Sequence, residues 1–153
     1  MSPVARLPTN YPRVTPALYI DGASDAIAFY QHVFDATERL RIDDPSGKIG
    51  HAELTIGESV IMLADEFPDM GVHGPKSVGG SPVAIHVYVE DIDATFDRAI
   101  KAGATALRPP EDKFYGDRGG EFEDPYGHRW SIATHIEDLS PEEMERRMGQ
   151  MPG

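Results

Sequence analysis

The chain has 153 residues, enough for one compact domain or two small repeats that bury a real core. It has no cysteine, which excludes disulfides and thiolate metal sites, and 14 Lys and Arg against 26 Asp and Glu give a formal charge of −12, which disfavours nucleic acid and anionic lipid as partners. No apolar run approaches the roughly 20 residues of a membrane helix, and the opening residues lack the apolar core of a signal peptide, so a cytoplasmic protein without membrane contact is expected.

Residues 1–14 contain Pro3, Pro8 and Pro12 and read as a flexible arm, one for a partner subunit to order. Residues 17–20 read as a short strand, broken by Asp21-Gly22. Ser24 is the expected cap of a helix over 25–34, with Ile27, Tyr30, Val33 and Phe34 on one face. Strands are expected over 38–42, 51–56 and 59–64, the last two joined by a Gly57-Glu58 turn. Residues 66–81 are rich in Gly and Pro and carry Phe67, Met70, Val72 and His73, the composition of a candidate lid.

The same order then recurs, as an internal repeat should. Residues 83–89 form a β-rich run. Asp91 is a natural helix cap, Phe96, Ala99, Ile100 and Gly103 continue a helical stripe, and Gly103 suits a left-handed helix end. Strands follow over 106–108, 119–123 and 129–134. Asp124-Pro125-Tyr126-Gly127 between the last two fits a type I turn. Ser140-Pro141-Glu142-Glu143 is a capping box that opens a short helix ending near Met148. The chain therefore divides into the arm (1–14), a domain over 15–137 made of two modules (15–65 and 82–137) and a linker (66–81), and a C-terminal helix and tail (138–153).

Asp21-Gly22-Ala23 followed by Ala26-Ile27-Ala28-Phe29-Tyr30, His51-Ala52-Glu53-Leu54 with Ile61-Met62-Leu63-Ala64-Asp65, and Asp124-Pro125-Tyr126-Gly127-His128-Arg129-Trp130 stand in an order that resembles the vicinal-oxygen-chelate (glyoxalase/bleomycin-resistance/dioxygenase) superfamily, in its PhnB-like branch. The resemblance covers about residues 14–137. It implies an α+β fold of two βαβββ modules whose curled mixed sheets surround a small-molecule cavity, and a homodimer. It also implies, in many members, a divalent metal held by two side chains from each module. Carried over to this chain, those four positions are Thr15, Met62, Ala84 and Ser131. None offers imidazole or carboxylate, so no metal or other cofactor is expected.

Strand alternation puts His51, Glu53 and Thr55 on one face and Ala52, Leu54 and Ile56 on the other. The polar set is expected in the cavity, with His86, Tyr88 and Ser131 brought by the second module. Tyr115 and Arg118 are placed at the cavity mouth, next to Phe114, and Met62 in its wall. His51, Glu53 and His86 are the candidate catalytic residues, because a His titrating near neutrality beside a Glu moves protons. Three readings stay open for them: a metal-free ligand site, a buried hydrogen-bonded network that fixes the fold, or a displaced His51/Glu53/His86 metal site serving a lyase, isomerase or dioxygenase. The acidic charge favours a cationic ligand. Trp130 and Ile132 are expected in the core, Arg129 in a charge pair, His32 in solvent, His73 on the linker, and His128 and His135 in backbone hydrogen bonds. The chain has no phosphate loop and no GxSxG nucleophile motif.

Overall fold

The computed structural model describes residues 3–152. It divides the chain into two units, residues 1–79 and 80–153. The first unit contains β1 (Ala17–Ile20), α1 (Ala23–Phe34), β2 (Thr37–Asp43), β3 (Ile49–Ile56) and β4 (Ser59–Asp65). Its four strands lie in the order β1-β4-β3-β2, with β1 parallel to β4 and the other neighbours antiparallel. The helix covers one face of this sheet. Ala26, Ile27, Tyr30 and Val33 from α1 are buried, as are Leu18, Ile20, Ala52, Leu54 and Leu63 from the strands. Alternation along each strand selects which side chains reach that core.

The start of α1 differs from the sequence expectation. Ser24 does not cap it. The helix begins at Ala23, after Gly22 in a left-handed conformation with φ 96°. The acceptor comes from a distant strand: Asp65 Oδ1 takes hydrogen bonds from the backbone N–H of Gly22 (3.3 Å) and Ala23 (2.9 Å), and its Oδ2 takes one from Ile49 (2.7 Å). One carboxylate thus joins the helix N-terminus to β3 and satisfies donors that Ser24, inside the first turn, does not reach.

The Gly- and Pro-rich stretch after β4 is folded against the unit that precedes it. Phe67 and Val72 form a β-bridge around a 3-10 turn at Pro68–Met70, and α2 (Pro75–Val78) follows. The Glu66 carboxylate accepts from Gly74 N–H and from Ser77 Oγ (2.6 Å). Gly74 lies so close to β1 that an added Cβ would sit 2.7 Å from the Tyr19 carbonyl oxygen.

The second unit repeats the plan with β5 (Ala84–Tyr88), α3 (Ile92–Lys101), β6 (Thr105–Asp112), β7 (Asp117–Glu123) and β8 (Arg129–His135), in the order β5-β8-β7-β6. Two βαβββ modules, each with an open four-stranded mixed sheet, make this the glyoxalase/bleomycin-resistance fold. Asp91 caps α3 by accepting from Ala94 N–H at 3.2 Å, and Gly103 ends it at φ 107°. The turn at residues 124–127 closes through Gly127 N–H to the Asp124 carbonyl (3.0 Å). Trp130, Phe122, Ile132 and Ala99 fill the core, with Trp130 Nε1–H donating to Asp124 Oδ2 at 2.9 Å.

β6 runs well past the expected 106–108. Pro109-Pro110 reads as a strand breaker, yet β6 is an edge strand with register shifts on either side of Arg108, so the missing N–H groups cost no ladder bond. Gly120 makes room for it: a Cβ there would lie 3.0 Å from the Arg108 carbonyl oxygen. Ser140 caps α4 (Pro141–Gly149) by accepting from Glu143 N–H at 3.1 Å.

Candidate functional site

In the first unit, the alternation that buries Ala52 and Leu54 under α1 turns Glu53 to the opposite face. There it sits directly across from Met62 on β4. A cleft of about 550 Å³ opens over this pair, walled by Thr15 and by Leu7, Pro8, Tyr11, Pro12 and Arg13 from the N-terminal segment. Residues 7, 8, 11–13 and 15 thus form one wall of a cleft in their own unit. What holds them is a polar cluster. Tyr11 donates its hydroxyl proton to Glu53 Oε1 (2.8 Å), and Arg39 lies 4.5 Å over the Tyr11 ring and donates to the Asn10 carbonyl (3.3 Å).

Glu53 is only 2% exposed and its oxygens are fully engaged. Oε1 faces Tyr11 and, at 3.4 Å, Arg39 Nε; Oε2 lies 2.8 Å from His51 Nε2. Burial is the largest influence on this carboxyl and acts to raise its pKa. Hydrogen bonds from His51 and Tyr11, with the charges of His51 and Arg39, together outweigh burial and hold it below the ordinary glutamate value. Glu53 is thus an anion at neutral pH. The Tyr11 phenol moves the other way: its hydrogen bond to Glu53, then burial, raises its pKa. Tyr11 and Arg13 carry no sequence signal, because they fall among prolines with no periodicity.

In the second unit, a smaller cleft of about 80 Å³ is lined by His86, Ser131, Tyr115, Arg108, Lys113 and Glu121, over the backbone of Gly119 and Gly120. His86 and Ser131 are register partners on β5 and β8, and His86 Nδ1 lies 2.9 Å from Ser131 Oγ. The Tyr88 ring meets His86 edge-on at 4.9 Å and donates its hydroxyl proton to Asp117 Oδ2 (2.8 Å). Arg118 is not among the residues lining this cleft; its guanidinium is held by both oxygens of Asp93 (2.9 and 3.0 Å) and by Asp112 (3.1 Å). Arg129 pairs with Glu121 at 3.0 Å.

His135 departs from the expected backbone contact. Its Nδ1 lies 2.8 Å from Asp117 Oδ1 and its Nε2 2.7 Å from Asp138 Oδ1. The hydrogen bond to Asp117, then that to Asp138, raises its pKa above the ordinary value of 6.5 against an opposing desolvation effect. Protonated His135 therefore stabilises the folded state. That contribution is complete below pH 6.5 and disappears as pH rises through the higher folded-state value. Unfolding free energy measured across this window should fall with pH in the native protein, and the fall should shrink in His135→Gln.

The structure joins His51 to Glu53, whose register partner is Met62, in one unit, and His86 to Ser131 and Tyr88 in the other; His51 is not among the residues lining the first unit's cleft. Among the described residues, no group of three or more His, Cys, Asp or Glu side chains is arranged to hold a metal ion. The positions where the resemblance puts metal ligands carry a thioether (Met62), a methyl (Ala84) and two hydroxyls (Thr15 and Ser131). Glu53, across from Met62, has both oxygens occupied by protein donors, and Glu121, across from Ser131, is paired with Arg129. This donor set does not fit a four-ligand divalent centre.

Residues 13–132 match the family model of the Glyoxalase/Bleomycin resistance protein/Dioxygenase superfamily. An uncharacterised protein of Mycobacterium bovis is 42% identical over 140 residues, covering 90% of this chain and 92% of that protein. Among solved structures, TioX from Micromonospora sp. ML1 superposes with a TM-score of 0.60 at 26% identity, over 84% of this chain and all (100%) of TioX. A PhnB protein from Bacillus cereus does so with a TM-score of 0.63 at 20% identity, over 80% of this chain and 99% of its own. Two βαβββ modules, a family model that spans both of them and a close relative along most of the chain lead to one conclusion: the protein belongs to the Glyoxalase/Bleomycin resistance protein/Dioxygenase superfamily.

Proposed function

We propose that this protein binds a small molecule in the cleft of its first unit, without the four-ligand metal centre found in many members of its superfamily. The observation that carries this reading is the cleft itself. Its volume of about 550 Å³ falls within the range of roughly 300–1,000 Å³ typical of ligand pockets. Its wall is mostly apolar, with a few fixed polar groups around Glu53. Such a lining gains affinity from hydrocarbon burial, while the fixed groups set orientation. A homodimer in the cytoplasm completes the proposal, on the family resemblance and the cysteine-free composition.

A thermal-shift screen of chelator-treated protein tests it, comparing divalent metals with thiol conjugates and small organic ions. An organic ligand is expected to raise the melting temperature in a saturable way, with about 2.7 kcal/mol of added stability at a hundredfold excess over Kd. Met62→Trp, which fills the cleft, is expected to abolish that shift. Stoichiometric binding of zinc, manganese or iron, with no response to any organic compound, would overturn the proposal.

A further inference from the structure

We infer that the cleft of the first unit selects molecules that join an apolar body to an anionic head group. The inference deepens the binding reading above and rests on it. Leu7, Pro8, Pro12 and Met62 offer hydrocarbon and thioether surface to the body of such a ligand. The head group is decided by which cleft charge remains uncommitted. Glu53, the obvious partner for a cation, is not available. Tyr11 and His51 occupy its two oxygens, and Arg39 lies 3.4 Å away and balances its charge. The Tyr11 proton is spent on the same carboxylate.

Arg13 differs. It lines the cleft, and among the described residues it makes no ion pair and no side-chain hydrogen bond. Among the described residues, the cleft therefore keeps one free charge. It is positive, and its planar fork of N–H donors matches carboxylate, phosphate or phosphonate oxygens. The overall charge of −12 acts in the opposite direction. At physiological ionic strength, however, salt screens exposed charges beyond about 8 Å, whereas Arg13 is in the wall that the ligand would touch.

Methyl NMR of protein labelled at methionine reads occupancy at Met62. Three probes separate the contributions: octanoate, octyltrimethylammonium and inorganic phosphate. Octanoate is expected to shift the Met62 methyl signal saturably. It should bind at least tenfold more tightly than the quaternary ammonium, whose alkyl chain is one carbon longer, and more tightly than phosphate, which has no apolar body. Arg13→Gln should weaken octanoate at least tenfold and should not weaken octyltrimethylammonium, with an otherwise native amide spectrum. Equal or tighter binding of the ammonium, or octanoate affinity unchanged in Arg13→Gln, would overturn the anionic preference while leaving the cleft a binding site. If neither eight-carbon probe moves Met62, the binding reading falls together with the preference.

Discussion

Trp130→Ala is expected to destabilise the second unit by about 3–5 kcal/mol, the largest effect of any single change considered. Trp130 has no exposed surface and is packed with Phe122 and Ile132 in the core between α3 and its sheet. Truncation removes the most voluminous buried side chain and leaves a cavity that close-packed neighbours fill only in part. It also takes the indole N–H from Asp124 Oδ2. That carboxylate remains tied to the turn, because its Oδ1 accepts from the backbone N–H of Tyr126 (2.9 Å) and His128 (3.0 Å). Trp130→Phe separates the two effects. It keeps most of the packing and loses the hydrogen bond, so it should cost roughly 1–3 kcal/mol. Trp130 is the one tryptophan of the chain, so urea unfolding of these variants must be followed by far-ultraviolet circular dichroism. A cost below about 1 kcal/mol for the alanine variant would mean that Trp130 is not the centre of this core.

Asp65→Ala is expected to cost about 2–4 kcal/mol in the first unit. Its carboxylate serves three backbone donors, at Gly22, Ala23 and Ile49, that belong to two different elements. Alanine leaves all three without an acceptor where helix, turn and strand meet. It also removes a negative charge from the positive end of α1. Asp65→Asn retains one oxygen and should fall between the native protein and the alanine variant. Hydrogen exchange reports the mechanism as well as the size. The amides of Ala23 and Ile49 should lose protection together in Asp65→Ala, although 26 positions separate them along the chain. Loss at Ala23 alone would mean that the residue is only a helix cap.

These two side chains also show where sequence reasoning works and where it stops. Trp130 was legible as core because strand alternation alone sends it to the same face as Ile132, and the turn at residues 124–127 fixes the phase of β8. The repeat, the strand parity at His51 and Glu53, and the cap at Asp91 were legible for the same reason: each is written in neighbouring residues. Asp65 was not legible as a cap because its partners lie 42 and 43 positions earlier in the chain. A local rule chose Ser24 instead. Tyr11 failed similarly, since its partner Glu53 is 42 residues away and nothing between the prolines announces the contact. β6 was cut short because Pro109-Pro110 is a strong breaker in a central strand and a tolerated one at an edge, and edge position is a property of topology. In the candidate site, Glu53 could be read from alternation and Met62 from the family resemblance, whereas the wall beside them could not.

The proposed ligand would occupy the space between residues 7–15 and the Glu53–Met62 pair. A crystal structure of the protein with the tightest ligand from the thermal-shift screen tests this most directly. Ligand density is expected against Met62, Thr15 and the prolines of the N-terminal segment, with Glu53 still bonded to Tyr11 and His51. A ligand bound elsewhere while this cleft stays filled with solvent, or a metal ion coordinated by Glu53 and His51, would contradict it.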